Sequence, residues 1–409
     1  MKEKTRINEG VKRMRFESVY EDYQKGRLTC AEAGEILGMS ERTFRRKKAR
    51  FEEDGLEGIF DRRIGKVSPK RAADAEVERI TKLYEERFNG FNVKHFYSYA
   101  KTHYGLTYGY TWTKNILEQK GLIKRSRRGG DHRLRRERKP MAGMMMHQDA
   151  SKHRWIMGRE EQWDLVVTMD DATSLITSAF FVLEEGTASS LLGIKETIET
   201  YGLFCSLYTD RGSHYWYTPE AGGKVSKNDL TQVGRALKEL GIQHIAAYSP
   251  QARGRSERMF GTLQGRLPQE LALNKIQTLQ EANAYLKETY IPRHNAEFSI
   301  PAKEEKSAFT PWAGSGFKSL KEILCLKEER VVQSDNTVRY KGMILQIPKS
   351  PWRHHYVKAE IQVHDYGDDG IGVFYGHQCV GVYTPAGALK DPPSLESDAK
   401  CPSKNEGTA

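Results

Sequence analysis

At Gly143 the chain changes texture, and that change limits its fold more than any other feature. Before it, apolar residues recur at helical spacing. After it, they gather into short runs, MMMHQD, WDLVVTMD and SLITSAFFVL in succession, then FCSLYTD and IQHIAAYSP. Helical patterns over 187–201, 230–240 and 254–267 accompany the later runs. Three successive strands followed by alternating helix and strand predict a mixed α/β sheet with helices on its faces. A further helix is expected over 278–290, then an irregular stretch through Pro292, Pro301 and Pro311.

The segment before Gly143 reads as all-α. In TCAEAGEILGMSERTFRRKKARF, Thr29 and Glu32 form a capping box that satisfies amides at a helix start. Ala33, Ile36 and Leu37 give that helix an apolar face, and Gly38 ends it. Ser40 caps a second helix carrying Arg42, Arg45, Arg46, Lys47, Lys48 and Arg50. Turn, caps and a basic second helix together predict a helix-turn-helix that binds DNA. Helical patterns over 73–88, 93–104 and 111–120, ending in GLIKRSRR, suggest a second helix-turn-helix or winged module, or a packing spacer.

Charge points the same way. Lys plus Arg outnumber Asp plus Glu by 65 to 54, a net charge of +11. Nine basic residues and two acids lie between Lys124 and Lys139, among them Arg125, Arg127, Arg128, Arg133, Arg135 and Arg136. Such a run gains affinity for phosphates by releasing counterions, and it is also what a solvated linker looks like. The five cysteines are scattered, with no C-x-x-C pair, which fits a reducing, cytoplasmic setting without a cysteine metal site. No signal core and no long apolar span is present, so the chain is expected to be neither secreted nor membrane-spanning. After Gly143, residues 328–385 form a third region of alternating strands. A turn at Asp335-Asn336 and a small antiparallel β-barrel are expected there. The tail beyond, rich in Pro, Ser, Lys and Gly, is expected to be disordered.

Three carboxylates occupy telling places. Asp149 ends MMMHQD, Asp210 ends SLYTD, and Glu257 lies early in the basic helix of SPQARGRSERMFGTLQ. Phosphodiester cleavage needs an activated nucleophile and a stabilised leaving alkoxide, which two divalent ions can supply. Such ions prefer oxygen ligands, and clustered acids repel one another without a cation between them. Taken singly, each acid is equally a turn residue or a solvated helix residue. Asp164, Asp170 and Asp171 rival Asp149, although Asp170-Asp171-Ala-Thr-Ser between two apolar runs reads as a hairpin turn. Arg253, Arg255 and Arg258 surround Glu257, and Gln264 lies two turns beyond it. They could contact phosphate or be ordinary surface charge. Trp216 and Tyr217 could stack on a frayed DNA end or pack beneath their loop.

The segments HQDASKHRW, YTDRGSHY, SPQARGRSERMFGTLQGRL and YIPRHNAEFSIPA resemble the DDE insertion-sequence transposases of the retroviral-integrase superfamily. The likeness is to the ISNCY-type group, and it covers roughly residues 15 to 385. It implies an RNase H-like catalytic core in which Asp149, Asp210 and Glu257 are the catalytic, metal-binding acids. The ions would be Mg²⁺ or Mn²⁺, two of them. It further implies cleavage at the ends of an element, joining of the freed 3′-hydroxyl to target DNA, and a homo-oligomer on DNA, associated with the nucleoid. The spacing from Asp210 to Glu257 is longer than is usual in that family; the extra length is assigned to the loop-like 217–229. An inactive DNA-binding regulator derived from such an enzyme, or an RNase H-like nuclease, are the competing readings.

The division that follows has seven parts. They are a helix-turn-helix domain over 1–64, a second helical DNA-binding domain over 65–125, and a basic linker over 126–142. Then come the RNase H-like DDE domain over 143–305, a linker over 306–327, a small SH3-like β-barrel over 328–385, and the tail 386–409.

Overall fold

The computed structural model describes residues 3–59, 71–124, 136–220, 223–226, 228–248, 250–314, 319–350 and 353–390. The chain divides into two compact units, Met1–Lys82 and Leu83–Ala409.

In the first unit, helix α1 (Glu3–Gln24) precedes α2 (Cys30–Ile36) and α3 (Glu41–Asp54). The capping box is made: the Thr29 amide donates to Glu32 Oε2 at 2.8 Å, and the Glu32 amide donates to Thr29 Oγ1 at 3.3 Å. Gly38 takes the left-handed φ of +64° between the two helices. Ser40 caps α3 by accepting from the Thr43 amide. Gly34 lets the turn close, since a Cβ there would stand 2.8 Å from the Met39 carbonyl oxygen. Phe16, Tyr20, Ala33 and Phe44 form the core beneath.

Helices α4 (Asp74–Arg87), α5 (Val93–His103) and α6 (Tyr110–Gln119) follow. Phe88 packs against Phe91, Phe96 and Tyr104.

The expected α/β region forms one five-stranded sheet of order β3-β2-β1-β4-β5. Its members are β1 (Met146–His153), β2 (Trp163–Asp170), β3 (Ile176–Val182), β4 (Ser206–Thr209) and β5 (Gln243–Ala246). The first three are antiparallel neighbours, while β4 runs parallel to β1 and β5 parallel to β4. Every residue of β2 is buried, because both faces of the sheet are covered. On one face Trp163, Leu165, Val167 and Met169 pack with α9 (Pro250–Gln264), α10 (Leu267–Leu273) and α11 (Leu279–Tyr285). On the other, Met146 and Leu207 pack with α7 (Thr187–Tyr201) and α8 (Gln232–Glu239).

Pro292 does not begin an irregular stretch. A π-helical segment, Leu286–Tyr290, carries α11 into α12 (Ile291–Phe298). Proline sits in the first turn of α12, where its missing amide hydrogen costs little. The segment 306–327 is packed rather than strung between domains. Thr310 bridges Leu203, and Leu320 and Ile323 of α13 (Leu320–Ile323) enter the core beside α8.

The C-terminal region is small and antiparallel, but it does not close into a barrel among the described residues. β6 (Leu326–Val331), β9 (Glu360–Asp365), β10 (Ile371–Tyr375) and β11 (Gln378–Tyr383) form one sheet. The strands β7 (Thr337–Tyr340) and β8 (Met343–Gln346) form a separate hairpin, and both share one core through Val338, Leu345, Val363 and Val373. The expected Asp335-Asn336 turn joins β6 to β7: the Asn336 amide donates to the Gln333 carbonyl at 3.1 Å, and the Gln333 amide to the Thr337 carbonyl at 2.9 Å. A second turn, at Lys341-Gly342, both at positive φ, joins β7 to β8. The Asn336 side chain also braces the domain, accepting from the Tyr356 amide and donating to the Ile347 carbonyl. Of the tail expected to be disordered, residues 386–390 fold back, with Leu389 bridging Tyr383; the remainder lies outside the described residues.

Candidate functional site

Strand pairing brings two of the three acids together. β1 and β4 run in parallel register with Met146 opposite Leu207 and His147 opposite Tyr208. The pairing ends there; continued for two residues, the register would put Asp149 opposite Asp210, which directly follows β4. Side chains alternate along a strand, so Asp149 shares a face with His147, and Asp210 with Tyr208. The His147 and Tyr208 rings meet on that face, 5.2 Å between centroids. Paired strands lie about 4.8 Å apart, so Asp149 on β1 and Asp210 at the end of β4 stand on neighbouring strands.

The segment after Asp210 is locked. The Gly212 amide donates to Asp210 Oδ1 at 2.9 Å. Tyr215, fully buried, donates its hydroxyl to Gln148 Oε1 at 3.0 Å, and Gln148 donates to Thr168 Oγ1 and the Ser190 carbonyl. Burial pushes the Tyr215 phenol well above its ordinary value, and the charges of Glu185, Asp149 and Asp210 add to the rise. Trp216 is packed rather than free to stack on DNA: it lies flat on His244 at 3.8 Å and donates to Thr209 Oγ1. Tyr217 is half exposed.

Helix α9 lies alongside β1 and is pinned at two points. Near its start, Arg255 reaches the Asp171 carboxylate and donates to the Arg136 carbonyl at 2.7 Å. At its end, Gln264 donates to Ser151 Oγ at 2.8 Å. Nine residues of helix advance about 13.5 Å. His147 to Ser151 spans four strand steps, about 13 Å. The two lengths match, and Glu257, exposed, lies two residues after Arg255 and two turns before Gln264 on the same strip of the helix. Among the described residues no three His, Cys, Asp or Glu side chains already converge as a metal-holding group. Asp149, Asp210 and Glu257 each carry hard oxygen donors of the kind Mg²⁺ and Mn²⁺ take.

Asp164 and Asp170 serve the backbone. Asp164 accepts from the Glu185 amide, and Asp170 accepts from the Gly143 and Thr173 amides in the β2–β3 turn. Sequence reasoning took Asp171 for a hairpin-turn residue and missed the cluster it centres. Asp171 is wholly buried, and its Oδ1 receives Arg136, Arg255 and His147 Nε2, the last at 2.7 Å. The Lys139 amide donates to Oδ2 at 2.8 Å. Burial alone would raise this carboxyl; the bonds from His147, the Lys139 amide and Arg255 outweigh it and hold it well below the usual carboxylate range. An aspartate just past a fully buried strand was the available signal, because a buried charge needs partners.

Of the residues expected to meet DNA, Arg42, Arg45, Arg46 and Arg50 are exposed on α3, and Lys47 and Lys48 are half-buried. Lys124 and Arg258 are exposed. Arg136 and Arg255 are held on Asp171. Arg125, Arg127, Arg128, Arg133, Arg135 and the Arg253 side chain lie outside the described residues. No described helix is long and apolar enough to cross a membrane.

Residues 18–66 match the family described as a helix-turn-helix domain. The chain is similar to the transposase for insertion sequence IS1202 of Streptococcus pneumoniae, 29% identical over 372 residues, covering 82% of this chain and 77% of that protein. It is equally similar to y4bF of Sinorhizobium fredii, a protein named provisionally as a transposase, 29% identical over 362 residues, with 86% and 76% covered. Among solved structures, it is similar to the HTLV-2 integrase catalytic core domain in complex with magnesium (14% identity, 36% of this chain, 89% of that one, TM-score 0.27). It is also similar to the simian T-cell lymphotropic virus intasome (13%, 75% and 99%, TM-score 0.33). Likeness at those scores is too slight to carry weight. The two full-length relatives and the helix-turn-helix match support a DNA transposase.

Proposed function

We propose that this chain is a DDE transposase of the ISNCY-type group. It binds the terminal repeats of its element, cleaves the ends and joins the 3′-hydroxyls to target DNA. The strand order of the sheet supports an RNase H-like core, and the facing register of Asp149 and Asp210 carries the reading of the site. Asp149, Asp210 and Glu257 would hold Mg²⁺ or Mn²⁺. Divalent ions there supply an activated water and a stabilised leaving oxyanion.

The chain's own residues do the rest. The Gly212 amide orients the Asp210 carboxylate. Gln148, on the opposite face of β1, fixes the loop after Asp210 through Tyr215. Exposed Arg258 is free to meet the phosphate beside Glu257. The basic face of α3 reads the element end. A homo-oligomer holds two ends together, as joining both to one target requires.

Asp210→Asn tests the reading. The variant is expected to bind end-sequence DNA as the wild type does and to lose Mg²⁺- or Mn²⁺-supported strand cleavage. Cleavage at the wild-type rate would refute the site. Joined products from the wild type separate a transposase from a simple nuclease.

A further inference from the structure

The reading above leaves the Asp171 cluster without a task, although it is the most heavily gripped carboxylate beside the site. Its three side-chain partners come from three parts of the chain. Arg136 belongs to the segment leading in from the basic run, His147 to β1 two residues before Asp149, and Arg255 to α9 two residues before Glu257. All three converge on Oδ1. Arg138 adds hydrogen bonds to the Asp171 and Ala172 carbonyls. A turn aspartate needs none of this; Asp170 next to it, which does serve the turn, binds backbone amides and Thr173.

We propose that Asp171 is a positioning residue: by holding Arg255 and His147 on one carboxylate, it fixes Glu257 on α9 level with Asp149 on β1. The inference rests on the DDE reading of the site. The mechanical logic is that α9 has two pins along β1. Gln264 on Ser151 fixes one end with a neutral hydrogen bond at 2.8 Å, and Met259 and Phe260 seat the helix in the core. Arg255, held by the Asp171 carboxylate and donating to the Arg136 carbonyl, is the charged pin near Glu257. Arg136 shares the same oxygen, so the basic linker is tied to the same point.

The observable is metal affinity, because misplacing one ligand weakens binding without unfolding the protein. Full-length wild type, Asp171→Asn and Arg255→Ala are titrated with Mn²⁺ alone, and free ion is followed by electron paramagnetic resonance. Thermal melts run in parallel. Residues that orient metal ligands typically change affinity 10- to 100-fold when lost. A rise of about tenfold in the Mn²⁺ concentration at half-saturation is expected for each variant. The double variant should be no worse than either single one, because both break the same contact. Unchanged half-saturation with a lowered melting temperature would make the cluster merely structural and overturn the proposal. Additive losses would overturn it as well. Should Asp171→Asn fail to fold, Arg255→Ala decides alone. Asp210→Asn is the control: if it binds Mn²⁺ as tightly as the wild type, the site reading itself falls. If it loses binding while the other variants keep theirs, only the role of Asp171 falls.

Discussion

Arg293→Met should cost this protein several kilocalories, and that cost should diminish as pH falls. Glu270 on α10 is buried, with 2% of its side chain exposed. It accepts from His95 Nε2 on α5 at 2.6 Å and from the Tyr285 hydroxyl on α11 at 2.6 Å, and it pairs with Arg293 on α12. Burial keeps His95 neutral despite the carboxylate, so its ring acts as an N–H donor and Arg293 is the only cation of the group. Removing one partner of a buried pair costs about 3–5 kcal/mol. Arg293 is 41% exposed, which moves the figure to the low end. Losing its contact with the Tyr99 ring, 5.3 Å away, returns about 0.5 kcal/mol to the cost. Roughly 3 kcal/mol at pH 7 is expected, read from urea denaturation of the full chain by circular dichroism. In the wild type, burial would raise the Glu270 carboxyl, but the bonds from His95 and Tyr285 and the charge of Arg293 lower it on balance. Its stabilisation is therefore present above the unfolded value and lost as pH falls. Without Arg293 one of the influences that lower this carboxyl is gone while those of His95 and Tyr285 remain, so its folded value rises and the penalty shrinks as pH falls. Glu270→Gln combined with Arg293→Met should recover part of the loss. A cost under about 1 kcal/mol, or a penalty that does not diminish as pH falls, would refute the idea that this pair binds α5 to the helices of the five-stranded sheet.

Two further outcomes are expected. Burial, helped by the charge of Arg266, pushes His294 from 6.5 to about 4. Its neutral form then contributes stability that is whole above pH 6.5 and is lost as pH falls toward 4, on the order of 3 kcal/mol at most. His294→Phe should flatten the melting temperature over that window, and an unchanged slope would assign the acid loss elsewhere. Gly193→Ala would put a Cβ 2.6 Å from Gln148 Nε2. Because Gln148 holds Tyr215, this change should cost about 1–3 kcal/mol and slow strand cleavage more than it weakens DNA binding. Wild-type cleavage in a destabilised variant would show that Tyr215 does not orient the loop after Asp210.

The parts legible in the sequence were those written in local rules. The Thr29–Glu32 box and Gly38 mark their helix ends by chemistry that acts over three or four residues, and the structure keeps both. The apolar runs after Gly143 announce a sheet because each must be buried along its length. Where local rules competed, tertiary contacts decided. Asp335-Asn336 turns the chain between β6 and β7 as its chemistry predicts, but β6 pairs with β9 and not with β7, so the hairpin ladder forms around Lys341-Gly342 instead. Pro292 has breaker chemistry, but the π-helical turn before it absorbs the misfit.

The site shows the same division more sharply. That Asp149 and Asp210 end apolar runs is readable from the chain. That β1 and β4 pair in parallel, Met146 opposite Leu207, is not, because that register is set by two strands meeting across a long stretch of intervening sequence. The long spacing before Glu257 also finds its physical account in the structure. The Ser226 amide donates to the Tyr217 carbonyl at 2.8 Å, and Thr231 Oγ1 donates to the Tyr215 carbonyl at 2.9 Å. The loop over 217–229 is thus closed at its own base, beside a tyrosine already fixed to β1. Loop-closure entropy grows only slowly with length, so added residues there cost little. Because α8 and β5 restart from that closed base, the length of the loop does not reach the acids on either side of it. A shortened loop that keeps Tyr215, Tyr217, Ser226 and Thr231 should therefore leave Asp210 and Glu257 where they are, and the variant should cleave DNA as the wild type does.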